Sequence, residues 1–212
     1  MFSEGLEKLL SEGLAGLFSK PAAPQQIRQL LDYLELLDRW SDTYNLTAIR
    51  EPRQMVTRHL LDSLAVMPWI DQGPLLDAGS GAGLPGIPLA IMRPELQVTL
   101  LDSAGKKTRF LNHVARSLEL RNIHPVQERL ESWSSEKQPS LIISRAFSGL
   151  GDFARAARHL ASADTKLLAM KGKYPETELE QLPGWLRVDS IEKLTVPGLQ
   201  EDRHLVIMSV IP

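Results

Sequence analysis

The sequence predicts an α/β layer fold: a mostly parallel sheet flanked by helices, ending in an antiparallel last strand and preceded by a helical extension. Three observations carry this. From residue 74 onward, short apolar runs alternate with segments of helical period, the alternation that builds parallel sheets. The last two runs are joined by a short connection containing Pro197 and Gly198, which fits an antiparallel pair. Residues 1–70 carry only the helical period.

The elements follow in order. In PQQIRQLLDYLELLDRWSDTY, apolar residues at Ile27, Leu30, Leu31, Leu34, Leu37 and Trp40 make a helical stripe, with Pro24 placed for the first turn. A second stripe, Val56, Leu60, Leu64 and Met67, is expected to end at Pro68. PLLDAG is the first strand, and VTLLD (98–102) is the second. In KKTRFLNHVARSLEL, one helical face collects Phe110, Leu111, Val114, Ala115 and Leu118. NIHPVQ (122–127) is a weak third strand and LIISRAF (141–147) a fourth. FARAARHL is a helix, KLLAMKG (166–172) a fifth strand and YPETELEQL a short helix. WLRVDSIEKL (185–194) and RHLVIMSVI (203–211) form the closing pair. SSEKQPS (134–140) reads as a surface loop, and no internal repeat is present.

Composition excludes several chemistries. Apolar residues make up 43% and charged residues 24%, as in ordinary globular chains. There is no cysteine, which removes disulfides, thiolate metal sites and cysteine nucleophiles. The five histidines are scattered, with no H-x-x-x-H pair, so no metal is expected. Glu4, Glu7 and Glu12 interrupt the first residues, so no signal peptide is expected. No stretch reaches the roughly 18 apolar residues of a spanning helix, and a cytoplasmic protein is expected. The net charge is −2, from 24 basic and 26 acidic residues, so any nucleic-acid contact needs a local patch.

LLDAGSGAGLPGIPLA (75–90) contains a G-x-G-x-x-G at Gly81, Gly83 and Gly86, the fingerprint of a dinucleotide loop. A pyrophosphate there needs free N–H groups at the start of a helix. Pro85 and Pro88 have none, and both fall in the first turn if the helix starts near Leu84. Asp77 precedes the glycines and repels phosphate while attracting a cation. The glycines turning off the strand are Gly79, Gly81 and Gly83. Asp102 ends the second strand, where an acid bonds ribose hydroxyls in doubly wound folds. A ligand with a positive centre, an adenosine and no phosphate fits: S-adenosyl-L-methionine. By itself Asp102 does not discriminate, since a nicotinamide dinucleotide needs such an acid too.

The runs D-A-G-S-G-A-G-L-P-G-I-P-L-A, L-L-D-S-A-G-K-K-T-R-F-L, S-R-A-F, M-K-G and E-D-R-H-L-V, with Y-N-L-T-A-I (44–49) and H-L-L-D-S-L (59–64), resemble the RsmG (GidB) family. The resemblance covers about residues 20–210. It implies a Rossmann-like class I methyltransferase sheet in 71–212, behind an N-terminal helical extension in 1–70. It also implies transfer of a methyl group from S-adenosyl-L-methionine to ring nitrogen 7 of guanine 527 in the 530 loop of 16S rRNA. Carried onto this chain, the cofactor residues are Gly79, Gly81, Leu84, Asp102, Leu130, Glu131 and Arg145. Pro125 departs from an ideal third strand, which loosens the register of Leu130 and Glu131.

Methylation of a ring nitrogen bearing a lone pair needs positioning rather than a general base. The absent cysteine argues against methylation at a pyrimidine carbon. S-R-A-F stands where exocyclic-amine methyltransferases carry a P-P-aromatic motif. Arg145 follows the buried run LIIS and is the leading catalytic candidate, gripping guanine acceptors or a phosphate. Lys171 is the second, and keeps 2′-hydroxyl methylation open. RNA-binding candidates are Lys106, Lys107, Arg109 and Arg203, with Arg50, Arg53, Arg58 and His59 in the N-terminal region. Lys106 to Arg109 open a helix, where cations oppose the macrodipole. His59 reads better as a core or capping residue, and Trp40, Tyr44 and Trp69 as core rather than base-stacking platforms. The substrate is expected within the small ribosomal subunit or an assembly intermediate, with no membrane or obligatory protein partner. Another RNA atom, a small-molecule acceptor, a non-catalytic binder and a nicotinamide oxidoreductase remain the alternatives.

Overall fold

A computed structural model describes residues 4–70, 73–145, 147 and 149–211. Ala146 of the S-R-A-F run lies outside the described residues. The strands are β1 (Leu75–Ala78), β2 (Val98–Leu101), β3 (Ile123–Val126), β4 (Leu141–Ser144), β5 (Lys166–Lys171), β6 (Leu186–Lys193) and β7 (His204–Val210). They form one sheet in the order β3-β2-β1-β4-β5-β7-β6. The first five run parallel, and β7 is antiparallel to both β5 and β6. Pro125 sits opposite Leu100 in the edge strand β3, where a missing N–H costs no second ladder.

The strand faces follow from period two. Leu75, Leu100, Ile143, Leu168 and Leu205 look into one core, and Leu76, Leu101, Ile142, Leu167 and Val206 into the other. The first core is shared with the N-terminal helices. α1 (Glu4–Leu17) and α2 (Pro24–Tyr44) lay Leu10, Leu14, Leu30, Leu34 and Leu37 on it, together with Phe110 of α6 (Gly105–Ser117). Pro24 opens α2 as its first residue. Its buried face is centred on Leu30, Tyr33, Leu34 and Leu37, while Ile27, Leu31 and Trp40 are only half-buried. Phe153 of α7 (Leu150–Ala157) fills the second core.

The second helical stripe is not one helix. α3 (Pro52–Met55) runs into a π-helical turn, Val56–Leu61, then α4 (Asp62–Leu64). Pro68 lies in a separate 3₁₀ turn, Met67–Trp69, so it does not end the helix. A π turn takes in an extra residue, which a 3.6-residue period cannot reveal. Its residues Val56, Thr57, His59, Leu60 and Leu61 are all buried, because the turn is packed beneath α1.

The same alternation turns Asp77 toward the helical face, one residue after Leu76 has faced the other core. There its Oδ2 accepts the N–H of Gly86 at 2.9 Å, the first residue of α5 (Gly86–Met92). Asp77 has no exposure, and burial raises its pKa from 3.8 to about 7, against the Gly86 hydrogen bond and the field of Arg145. A raised acid binds its proton more tightly in the folded state. Its stabilising share is therefore present below pH ~4 and lost as pH rises through about 7. Asp77→Asn keeps an acceptor for Gly86 without the charge. Chemical denaturation from pH 4 to 8 should show the wild type losing stability relative to this variant; a constant difference contradicts the raised pKa.

Candidate active site

The glycine loop follows β1, and the amides of Gly79, Ser80, Gly81, Gly83 and Leu84 are bound from within the protein. Gly79 and Ser80 donate to the Leu101 carbonyl at 2.9 and 3.0 Å, and Gly83 and Leu84 donate to the Ser80 carbonyl at 2.7 and 3.0 Å. Gly81 donates to Asp102 Oδ2 at 3.0 Å. α5 starts at Gly86, two residues later than expected, with Pro85 as its N-cap. Its first amide already donates to the Asp77 side chain, so that donor is taken from within the protein. Asp77 was expected to face a ligand cation. It lies instead beneath the loop, because strand alternation points it into the core. Gly83 has φ +93°, and a Cβ there would stand 2.3 Å from Ile87 Cδ1 and 2.9 Å from Leu111 Cδ2, so only glycine fits.

Beside the loop opens a cavity of about 420 Å³ at the C-terminal ends of β1, β2 and β3. It brings together Gly79, Asp102, Leu130 and Glu131 with Lys107 and Phe147. Leu101, buried Leu130 and half-buried Phe147 supply apolar walls for a flat ring. Asp102 is fixed from three sides: Oδ1 accepts the Ala104 amide at 2.9 Å, while Oδ2 accepts Gly81 N–H and, at 3.1 Å, Lys107 Nζ. Gly81 thus touches Asp102 without lining the cavity. Leu84 is buried in the core under the loop and is not part of the cavity wall. Lys107, expected to grip RNA, lies in this cavity and pairs with Asp102. Phe147 went unpredicted, although it ends the S-R-A-F run.

A second cavity, about 330 Å³, lies at the same edge beyond β4. Arg145 follows β4, Lys171 ends β5 and Arg203 precedes β7; all three line it, as do His59 and Asp62 from the N-terminal helices. Arg145 therefore sits apart from the first cavity. Asp62 is buried and joins the two arginines: Oδ1 accepts from Arg203 Nε at 2.9 Å, and Oδ2 pairs with Arg145 Nη1 at 3.5 Å. Burial pushes the Asp62 carboxyl upward, and Arg145 and Arg203 pull against that. Lys171 Nζ meets Glu178 Oε2 at 2.8 Å. Burial and the Arg145 charge lower the His59 pKa to about 4, so it is neutral at pH 7, with Nε2 2.8 Å from Thr47 Oγ1.

Of the other cations, Arg58 also lines the second cavity. Lys106 is exposed and donates to the Tyr44 carbonyl at 3.1 Å; Arg109 is exposed on α6. Arg50 is paired with Asp42, and Arg58 with Glu201. Trp40 packs on Phe110 with ring centroids 5.5 Å apart and on Tyr44 at 5.3 Å, which ties α2 to α6. Trp69 packs against the first core.

A family model described as "GidB: rRNA small subunit methyltransferase G" matches residues 26–206. The chain belongs to the GidB family. Among curated GidB relatives, "Ribosomal RNA small subunit methyltransferase G" of Pseudomonas fluorescens (strain Pf0-1) is 53% identical over 179 residues, 84% of each chain. The protein of the same name from Stutzerimonas stutzeri (strain A1501) is 51% identical over 196 residues, 92% of this chain and 91% of its own. Among solved structures, a SAM-dependent methyltransferase from Aquifex aeolicus has a TM-score of 0.60 at 16% identity, covering 79% of this chain and 98% of that one. TrmN from Thermus thermophilus has a TM-score of 0.56 at 14% identity, covering 74% and 53%. These two identities speak for the fold alone, a Rossmann-like methyltransferase sheet.

Tyr33 links α2 to this site: its hydroxyl is buried and donates to the Ala82 carbonyl at 2.8 Å. Tyr33→Phe leaves that carbonyl without its donor. Denaturant titration should show a loss of about 1–3 kcal/mol, the cost of an unmet buried polar group. Unchanged stability contradicts a tie between the helices and the loop.

Proposed function

We propose that the chain transfers a methyl group from S-adenosyl-L-methionine to ring nitrogen 7 of a guanine in small-subunit ribosomal RNA, guanine 527 of the 530 loop in 16S rRNA. Membership of the GidB family over residues 26–206 carries this reading. The residues fit the cofactor. Five loop amides, those of Gly79, Ser80, Gly81, Gly83 and Leu84, have internal acceptors, which disfavours a pyrophosphate, and Asp102 offers a fixed carboxylate to ribose hydroxyls. In this reading Gly79, Asp102, Leu130, Glu131 and Phe147 hold the adenosine half, and Gly81 positions Asp102. When bound, the cofactor supplies an electrophilic methyl group on a sulfonium.

The chain's own groups supply orientation. In a doubly wound sheet, ligands sit where the strand order reverses, here between β1 and β4. Arg145 lines one cavity and Phe147 the other, so the segment after β4 separates cofactor from acceptor. Guanine presents N7 and O6 as adjacent acceptors, and N7 must stay free to react. Arg145 is the donor for O6 or a neighbouring phosphate. Lys171 and Arg203 add positive charge for the backbone. Lys171 is held by Glu178, which favours a donor over a base and so favours N7 over a ribose hydroxyl. Lys106 and Arg109 lie on the outer surface for more distant RNA contacts. Residues 1–70 act as a helical extension to the methyltransferase unit in 71–212. The mild net acidity favours folded rRNA in a small-subunit particle over any free strand, and so a cytoplasmic site of action.

Labelled S-adenosyl-L-methionine, incubated with small subunits and with stripped 16S rRNA from cells lacking the protein, should yield label in 7-methylguanosine after nucleoside digestion. Label in another nucleoside, or none, overturns the assignment. Asp102→Ala should weaken cofactor binding about tenfold or more by calorimetry, as expected for hydrogen bonds to a charged group. Arg145→Ala should lower kcat/KM for RNA by roughly 10- to 100-fold, the worth of a hydrogen bond from a charged donor.

A further inference from the structure

The Arg145 and Arg203 guanidiniums come from distant parts of the chain and face the same small cavity. Two like charges so placed repel, and each long side chain has several rotamers open to it. What joins them is Asp62, carried by the first residue of α4, directly after the π turn. Its two oxygens are divided between them, Oδ1 to Arg203 Nε and Oδ2 to Arg145 Nη1. Each arginine has one further anchor on a carbonyl: Arg145 Nη1 on Arg58 at 3.3 Å, and Arg203 Nη1 on Asp202 at 2.8 Å. We propose that Asp62 is a positioning residue for the acceptor: it fixes Arg145 and Arg203 as one aimed pair and supplies the negative charge that the reacting base needs nearby. The N-terminal helices thereby complete the acceptor cavity. This rests on the guanine N7 reading.

The second half of the role follows from charge balance. As N7 takes the methyl group, a carbon–sulfur bond breaks and a carbon–nitrogen bond forms. The sulfonium becomes a neutral thioether, no proton is released, and the positive charge passes to the guanine. A cavity lined by Arg58, Arg145, Arg203 and Lys171 opposes that charge. Glu201 offsets Arg58, Glu178 offsets Lys171, and Asp62 is the carboxylate shared by Arg145 and Arg203. Without Asp62, the polyanionic RNA still binds, but the transition state meets two uncompensated guanidiniums.

Asp62→Asn keeps the shape and removes the charge; Asp62→Glu keeps the charge and adds a methylene. The proposal predicts that Asn lowers kcat by roughly 10- to 100-fold, the scale of a misplaced catalytic group. RNA affinity, read by filter binding without cofactor, should be unchanged or tighter, and cofactor affinity unchanged. Glu should retain more turnover than Asn. A residue that only packs predicts the reverse order, because Asn is the better steric match. Turnover of Asn equal to wild type, or Glu below Asn, overturns the proposal. If Asn does not fold, Arg203→Gln decides: reduced kcat with normal cofactor affinity supports the paired arrangement, and wild-type kcat overturns it. Failure of the wild type itself to make 7-methylguanosine would sink the functional reading instead.

Discussion

The buried contact between the Asp77 carboxylate and the first amide of α5 is the constraint on which the site depends. Strand alternation sends Asp77 to the helical face, where its side chain accepts the first N–H of α5. That contact brings α5 hard against β1 and β2: a Cβ on Gly86 would stand 2.3 Å from Leu100 Cδ2 and 2.7 Å from Asp77 Oδ2. The glycine loop must then arch between fixed ends, turning through positive φ at Gly79, Gly81 and Gly83. Its amides close on Leu101, Ser80 and Asp102 instead of facing outward. A loop with a dinucleotide fingerprint thereby offers few free amides to a phosphate.

The consequence is a division of labour along one sheet edge. On the β1–β2–β3 side the fixed group is the Asp102 carboxylate, beside the apolar Leu101, Leu130 and Phe147 and the charged Lys107, Arg129 and Glu131. On the β4–β5–β7 side the groups are cations gathered around Asp62. An adenosine needs acceptors for its hydroxyls and a surface for its ring; a nucleotide in RNA needs donors. The order of strands places these demands side by side, with the segment after β4 between them. The N-terminal helices belong to this arrangement as well as to the core: Tyr33 reaches the loop and Asp62 the arginines.

What the sequence revealed depended on how local each signal was. The strands, the antiparallel closing pair and the acid ending β2 could be read from short runs, since each needs only neighbouring residues to define it. That Arg145, Lys171 and Arg203 lie at one sheet edge could be read because each borders an apolar strand. Asp62 was not, because its meaning comes from two arginines more than 80 residues away in sequence and from a π turn that periodicity does not encode. The Lys107 ion pair was hidden for a related reason: its position at a helix start was visible, but its pairing with Asp102 depends on how α6 meets β2. Asp77 was singled out correctly as unusual and assigned to the wrong side of the loop. Counting alternation along β1 from Leu75 gives the right one.

The central claim is that the cavity beside Asp102, not the arginine-lined one, receives the cofactor. Amide chemical-shift mapping during titration with S-adenosyl-L-methionine, and separately with a nicotinamide dinucleotide, tests it most directly. The Gly81 amide is the most telling probe, since it is bonded to the carboxylate that the ribose would engage. The account predicts saturable shifts at Gly79, Gly81, Asp102 and Glu131 with S-adenosyl-L-methionine, and none with the dinucleotide. Shifts centred on Arg145, Lys171 and Arg203 without change at Gly81, or equal response to the dinucleotide, would contradict it.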